Sequence, residues 1–256
     1  MRQLYWVAFL TIVRKEIIRF SRLWVQTLIP PVITMTLYFL IFGQLIGNRI
    51  GTMQGYDYMQ FIAPGLIMMS VITNAYGNTV SSFFGAKFQQ NIEEIIVAPV
   101  PCFVIILGFV IGGVCRGVTV GALVTLVAAI FTDITIYNLP VIIVTVIMTA
   151  VLFALGGLLN ALFAKTFDDI TMIPTFVLTP LTYLGGVFYS LELLNEFWQS
   201  VSYLNPLVYM ITTFRYGFLG IEDIDWGYSL GLISLFIVIF YSWTHILLSR
   251  GIGLKE

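Results

Sequence analysis

The sequence predicts an all-α integral membrane protein with six transmembrane helices, and composition and segment length support that prediction. Of the 256 residues, 59% are hydrophobic and 10% are charged, and the mean hydropathy is +0.97. Soluble domains contain about 45–50% apolar and about 25% charged residues. The chain therefore has too few charged side chains to cover a surface that faces water. A membrane-spanning helix needs about 20 mostly apolar residues, so this length holds six such helices and short loops.

The apolar stretches predict a single membrane domain over residues 1–256. The predicted spans are about 24–46, 58–84, 103–131, 140–163, 170–188 and 228–248. Pro30 and Pro31 predict a kink in the first span, because membrane helices tolerate proline where neighbours satisfy the freed carbonyl groups. Pro174 and Pro180 interrupt the fifth span. The third span is longer than a bilayer requires, so we expect part of it to project beyond the membrane.

Residues 4–23 predict an amphipathic helix that lies along the membrane surface. Lys15 and Arg19 recur at helical spacing on a basic face, whereas Trp6 and Phe9 belong to an apolar, aromatic face. A helix of this composition binds the interface between water and lipid. The alternative interpretation is that the basic residues only anchor and orient the first span.

The distribution of basic residues predicts that both termini are cytoplasmic, since cytoplasmic loops are enriched in Lys and Arg. In that orientation the outer side carries only Arg49 and Arg215, and Arg116 lies within a helix. The inner side carries the remaining basic residues, which are Arg2, Arg14, Lys15, Arg19, Arg22, Lys87, Lys165, Arg250 and Lys255.

The residue types argue against an enzyme and against a nucleic-acid-binding protein. His245 is the single histidine, and Cys102 and Cys115 do not have metal-ligand spacing. The chain contains no phosphate-binding loop of the G-x-x-x-x-G-K-[ST] kind, so we expect it neither to bind a cofactor nor to hydrolyse ATP. Its net charge of −1, with scattered basic residues, is unlike a nucleic-acid surface.

Arg116 is the only charged residue that the hydropathy pattern puts well inside an apolar stretch. Ion-coupled transporters carry ionisable residues near the centre of the bilayer, and no carboxylate is expected there in this chain. The sequence therefore disfavours a secondary transporter. An arginine at mid-bilayer costs about 2.5–3.5 kcal/mol, so we expect Arg116 to lie near the interface or to pair with a loop.

Two spans carry polar stripes at helical spacing, and these are the candidate translocation pathway. Such stripes either line a path or join helices through hydrogen bonds, and the sequence leaves both interpretations open. The stripe residues are Ser70, Asn74, Asn78 and Ser81 in the second span and Thr171, Thr175, Thr179 and Thr182 in the fifth.

The segment 85–101 predicts a short cytoplasmic helix that ends at two prolines. Glu93 and Glu94 lie opposite the isoleucine face that includes Ile92. One interpretation is a helix that docks onto a cytosolic partner, and the other is an ordinary connecting turn.

Residues 178–215 resemble the ABC-2 family, the permease subunits of ATP-driven exporters. The family pattern has a small pair near the end of the fifth span, a polar re-entrant stretch, an Asn-Pro-Leu sequence and an arginine. The matching residues here are Gly185, Gly186, Asn205, Pro206, Tyr209 and Arg215. The cytoplasmic segment is also similar, with Glu93 and Pro99 in place, although Ala98 stands where the family usually has threonine.

The resemblance implies two copies of this chain working with two copies of a separate ATPase, which would bind ATP and Mg. The substrate, which would be hydrophobic, amphipathic or of the glycan type, would leave across a bacterial inner membrane. It would pass between the two copies, near the first, second and fifth spans. Residues 190–206 would form a re-entrant hairpin on the outer side. The residues that would couple the chain to the ATPase are Lys87, Glu93, Glu94, Pro99, Lys15 and Arg19.

Overall fold

A computed structural model describes residues 2–92 and 100–253, and about 81% of the chain is helical. The N-terminal part contains α1 (Arg2–Arg22), α2 (Trp24–Thr27), α3 (Ile29–Tyr38), a π-helical segment (Phe39–Ile46), α4 (Gly47–Ile50), strands β1 (Thr52–Met53) and β2 (Tyr56–Asp57), and α5 (Tyr58–Phe88). The remainder contains α6 (Cys102–Phe131), α7 (Leu139–Phe163), α8 (Asp169–Ile173), a π-helical segment (Pro174–Leu178), α9 (Thr179–Tyr183), a 3-10 turn (Leu191–Leu193), α10 (Glu196–Tyr203), α11 (Pro206–Leu219) and α12 (Trp226–Ser249). The predicted all-α membrane protein is confirmed.

Five helices in the described ranges are long and apolar enough to cross a membrane. They are Trp24–Gly43, α5, α6, α7 and α12. Each coincides with a predicted span to within a few residues, except that α5 continues to Phe88.

The predicted fifth span is a shorter and less regular helical run than the sequence pattern indicated. It extends from Asp169 to Tyr183, with a π-helical segment at its centre. Pro174 and Pro180 have no N–H to donate to the preceding turn, so the regular α-helical ladder cannot continue through them. At 1.5 Å per residue the run is about 22 Å long, which is less than the hydrocarbon thickness of about 30 Å. A sixth complete span stays a prediction.

Helix α5 is the centre of the bundle, and α6 and α7 pack against it. In its most apolar stretch 89% of the residues are buried, compared with 11% in that of the first span. Glycines allow the close approach: a Cβ at Gly157 of α7 would lie 2.5 Å from the carbonyl oxygen of Tyr76, and one at Gly117 of α6 would lie 2.9 Å from Ala75 Cβ. The backbones of α6 and α7 therefore come close to α5 at these glycines, as small residues permit in membrane proteins.

A tight β-hairpin leads the chain into α5. Gln54 and Gly55 adopt positive φ values of 50° and 85°, as the two central residues of a type I′ turn do. The Asp57 carboxylate then caps α5 by accepting a hydrogen bond from the Met59 N–H at 3.2 Å.

We predict that Gly157→Ala destabilises the bundle, because the added methyl group meets the α5 backbone, which cannot move aside as a side chain can. Overpacking of this kind costs about 1–3 kcal/mol. The matched control is Gly77→Ala, where the new Cβ has nothing within 4 Å and alanine favours the helix by about 1 kcal/mol. Thermal unfolding of both variants in detergent should give a lower Tm for Gly157→Ala alone. Equal Tm values would contradict the close packing.

Candidate functional site

Glu16 of α1 is a fully buried carboxylate at the junction of α1, α5 and α6. Its side chain has 0% exposure, Ser82 Oγ donates a hydrogen bond to Glu16 Oε1 at 2.5 Å, and Arg19 Nη2 lies 3.3 Å from Glu16 Oε2. Gly112 of α6 makes room for it, since a Cβ there would lie 2.5 Å from Glu16 Cβ. A buried carboxylate needs such partners, because an unpaired charge in a medium of low dielectric constant is strongly destabilising.

Arg19 extends this contact to the middle of α5. Its Nη2 donates to the backbone carbonyl of Asn78 at 3.0 Å and to Asn78 Oδ1 at 2.9 Å, and the Asn78 side chain is fully buried. The predicted coupling residue Arg19 therefore binds within the chain. Its predicted neighbour Lys15 is exposed on the same helix. We refer to Glu16, Arg19, Asn78 and Ser82 as the α1–α5 network.

Arg116 of α6 makes a related contact one helical turn away. Its Nη2 donates to Asn74 Oδ1 and to the backbone carbonyl of Thr27, both at 3.2 Å. In a regular helix the N–H four residues later would bind the Thr27 carbonyl, but that residue is Pro31, which has no N–H. Arg116 thus supplies the donor that the proline removes.

The buried carboxylate of Glu16 was not singled out from the sequence, which was searched for acidic residues only within the apolar spans. Hydropathy placed Glu16 in a surface helix, where an acidic residue is unremarkable. A signal was present in the sequence: Glu16 is the single acidic residue of 4–23, three positions before Arg19. At that spacing two oppositely charged side chains are neighbours on a helix.

The polar stripe of the second span mostly forms hydrogen bonds inside the bundle. Ser70 Oγ donates to the Ile67 carbonyl at 2.7 Å, and Asn74 Nδ2 donates to the Ser70 carbonyl at 2.9 Å. Asn74 and Asn78 also accept from the two arginines, whereas Ser81 is exposed.

The threonines of the fifth span have a different environment. Thr171, Thr175 and Thr179 are exposed, whereas Thr182 is buried and donates to the carbonyl of Thr179 at 2.8 Å. Among the described residues no hydrogen bond joins this stripe to that of the second span, so a pathway between facing stripes stays a prediction.

Lys87 binds the C-terminal end of α5 to the end of α7. Its Nζ donates to the carbonyls of Leu162 and Ala164 at 3.1 and 2.8 Å, and these carbonyls have no donor within α7, which ends at Phe163. The following loop is closed by Asp169, which accepts hydrogen bonds from the backbone N–H groups of Lys165 and Thr166. These two bonds lower the pKa of the Asp169 carboxyl.

Of the predicted coupling residues, Glu93, Glu94 and Pro99 lie outside the described residues. Their role stays a prediction.

Arg215 is buried near the N-terminal end of α5, where it joins three parts of the chain. Its Nη2 donates to the Gly186 carbonyl at 2.6 Å and its Nε donates to the Phe61 carbonyl at 3.3 Å. The guanidinium carbon of Arg215 lies 3.9 Å from the centre of the Phe61 ring. The Arg215 Nη1 atom lies 3.8 Å from Asp223 Oδ2, which makes a long ion pair. Pro64 has no N–H and therefore interrupts the backbone hydrogen bonds of α5 within one turn of Phe61. Arg215 donates a side-chain hydrogen bond to the Phe61 carbonyl in the same turn.

The other signature residues shape the turns around Arg215. Gly186 has a φ of 74°, which a side chain would strain, and Gly185 packs against Ile211. Asn205 Nδ2 donates to the Leu181 carbonyl at 2.6 Å, while its Oδ1 caps α11, which begins at Pro206.

Tyr209 closes the turn between α10 and α11 by donating from its hydroxyl to the Tyr203 carbonyl at 2.9 Å. Sequence reasoning missed α11, and it also missed Gln54, whose Nε2 donates to Ser190 Oγ and to Asp223 Oδ1. The re-entrant position of 190–206 in a membrane stays a prediction.

No cluster of His, Cys, Asp and Glu that could hold a metal ion occurs in the described ranges. The sites are instead two sets of arginine contacts, one of Arg19 and Arg116 with the middle of α5 and one of the buried Arg215 near its first turn. Such contacts can hold helices in register, and nothing in them resembles a catalytic arrangement of nucleophile and base.

The family model described as ABC-2 type transporter matches residues 7–219. The chain belongs to the ABC-2 type transporter family. Members of this family are membrane subunits of ABC transporters without catalytic activity of their own, and ATPase activity belongs to a partner subunit. The family matched here is the one that the 178–215 pattern resembles, and that prediction is confirmed.

Two relatives cover almost the whole of this ABC-2 chain. It is 64% identical over 256 residues to the inner membrane transport permease YadH of Escherichia coli strain K12, across 100% of both chains. It is 26% identical over 252 residues to nodulation protein J of Rhizobium leguminosarum bv. trifolii, across 96% of this chain and 94% of the relative. Together with the apolar helices, the first likeness indicates a multi-pass protein of the inner membrane.

We predict that Glu16→Gln lowers the Tm, because it removes the ion pair with Arg19 and weakens the bond from Ser82. A hydrogen bond to a charged group contributes about 1.5–3 kcal/mol. Lys15→Gln, an exposed change in the same helical turn, is the control and should leave the Tm unchanged. Thermal unfolding of the two purified variants checks this. An equal Tm in both would show that the buried carboxylate does not hold α1 in place.

Proposed function

We propose that this chain is the membrane subunit of an ATP-driven exporter that works as a homodimer with two copies of a cytosolic ATP-binding subunit. The substrate would be hydrophobic, amphipathic or of the glycan type and would move outward between the two copies. The observation that carries the coupling part of this proposal is the buried α1–α5 network. It makes the N-terminal helix and the central span one unit, so a force on the cytoplasmic ends of either helix would move both.

The surface left open by the first and fifth predicted spans supports the pairing of two copies. The first span buries only 11% of its most apolar stretch. Helix α12 is almost as exposed, at 17% buried. The first and fifth spans are linked to each other by the hydrogen bond between the Tyr38 and Tyr183 hydroxyl groups, and the fifth span also exposes Thr175 and Thr179. A face that is both apolar and hydroxyl-bearing suits the path of an amphipathic molecule.

The orientation with both termini in the cytoplasm is part of the proposal. Lys87 and Lys165 lie at the same end of the bundle, beside the ends of α5 and α7. Arg215, which the sequence assigned to an outer loop, is buried in α11. Among the described residues, Arg49 is then the exposed basic residue on the proposed outer side. The excess of Lys and Arg on the inner side, which governs topology, is therefore larger than the sequence alone indicated.

We predict that Glu192→Cys reacts with a membrane-impermeant maleimide from outside, and Lys165→Cys only after the inner side is opened. Both side chains are exposed, and both variants start from a chain with Cys102 and Cys115 replaced by alanine. Labelling of intact cells and of inside-out vesicles checks the orientation. The reverse pattern would contradict it.

The proposed partnership is tested by purifying the tagged chain in mild detergent and assaying the eluate for vanadate-sensitive ATPase activity. A co-purifying ATP-binding subunit is the expected result. Elution of the chain alone from several detergents, without ATPase activity, would contradict the exporter.

We predict that the double change Glu93→Ala and Glu94→Ala reduces the ATPase activity of this assembly severalfold, because the acidic face of 85–101 would no longer dock. Membrane insertion should be normal. The matched control removes two exposed carboxylates at the opposite end, Glu192→Ala with Glu196→Ala, and should retain the activity. Unchanged activity and assembly in the first variant would rule out a coupling role for that face.

A further inference from the structure

Arg19 and Arg116 are neighbouring cations that share one face of α5. They bind Asn78 and Asn74, which are four residues apart and therefore adjacent on the helix. Their like charges repel each other. Among the described residues Glu16 is the carboxylate paired with Arg19, and no carboxylate pairs with Arg116. The site holds two positive charges and one negative charge.

The two guanidinium groups also keep unused hydrogen-bond donors. The Nε atoms of both are buried without an acceptor, and neither Nη1 atom has a hydrogen-bond partner in the part of the chain that is described. Arg19 retains 29% side-chain exposure and Arg116 is half-buried. A half-buried cation with free donors is incomplete without an anion, because burial of an unpaired charge is costly.

The site lies just inside the inner boundary of the hydrocarbon core, from which a long arginine side chain can reach the lipid headgroups. Arg116 lies roughly 22 Å from Phe131 at the outer end of α6, at 1.5 Å per residue. The hydrocarbon core is about 30 Å thick, so the guanidinium group is within reach of the inner boundary. The side chains next to it, where α1 passes into α2, are exposed and apolar: Leu23, Trp24 and Val25.

We propose that Arg19 and Arg116 bind the phosphate group of an anionic phospholipid from the cytoplasmic leaflet, whose acyl chains lie along the exposed first span. Guanidinium groups bind phosphate oxygens through paired, charge-assisted hydrogen bonds, and basic pockets between membrane helices on the cytoplasmic side hold lipid headgroups. The lipid would supply the negative charge that the site lacks. The leaflet assignment rests on the proposed orientation, whereas the binding itself does not depend on an ATPase.

The test is lipid binding by the purified chain, measured by native mass spectrometry during titration with phosphatidylglycerol and, separately, with phosphatidylcholine. We expect the wild-type chain to retain phosphatidylglycerol preferentially. Arg116→Gln and Arg19→Gln should each weaken that retention about tenfold, as the loss of a charge-assisted hydrogen bond implies. Arg14→Gln, which removes an exposed charge from the same surface helix, should bind as the wild type does.

Arg116→Lys keeps the charge but loses the paired geometry, and it replaces Arg116→Gln if that variant does not fold. We expect it to weaken retention severalfold. Inorganic phosphate, added in place of lipid, should not compete, because the acyl chains contribute to binding. The proposal is overturned if the wild type shows no preference for phosphatidylglycerol, if all three glutamine variants lose binding equally, or if inorganic phosphate displaces the lipid.

Discussion

The contact of Glu16 and Arg19 with α5 is the interaction on which the position of the N-terminal helix depends. Beside it, α1 packs on the bundle through apolar contacts such as that of Ile12 with Gly108. With it, two charged side chains and two polar ones form a chain of bonds between residues more than fifty positions apart. These bonds tie α1 to the central helix and oppose sliding of one helix along the other.

A second constraint follows from the bilayer, in which polar backbone groups must find partners inside the protein. Prolines remove donors from the first span and from α5, and an arginine donates beside each of these breaks. Arg116 binds the Thr27 carbonyl, and Arg215 binds the Phe61 carbonyl close to Pro64. Arg116 therefore replaces the donor that Pro31 lacks, while Arg215 joins the first turn of α5 to the turn at Gly186.

Hydropathy predicted the long spans well, because a run of about 20 apolar residues has few other stable structures. It located Tyr58, the first residue of α5, and missed the first residues of α6 and α7 by one position. It could not show that Arg19 turns inward, because an arginine on an amphipathic helix looks the same in sequence whether it faces water or a buried carboxylate. The shortened fifth span was hard to foresee for a related reason: Pro174 and Pro180 break the helix geometry without lowering its apolar character.

We expect α1 and α5 to move as one rigid unit. The distance between these helices while the assembled transporter hydrolyses ATP tests this most directly. Spin labels at Leu10 of α1 and Gln89 at the end of α5 occupy exposed positions outside the network. Their distance distribution can be measured in the assembled transporter without nucleotide and after trapping with vanadate. We predict the same narrow distribution in both states, and a broader one when Glu16 is replaced by glutamine. A distance that changes between the two states in the otherwise unaltered chain would show that α1 moves relative to α5, and would contradict the account.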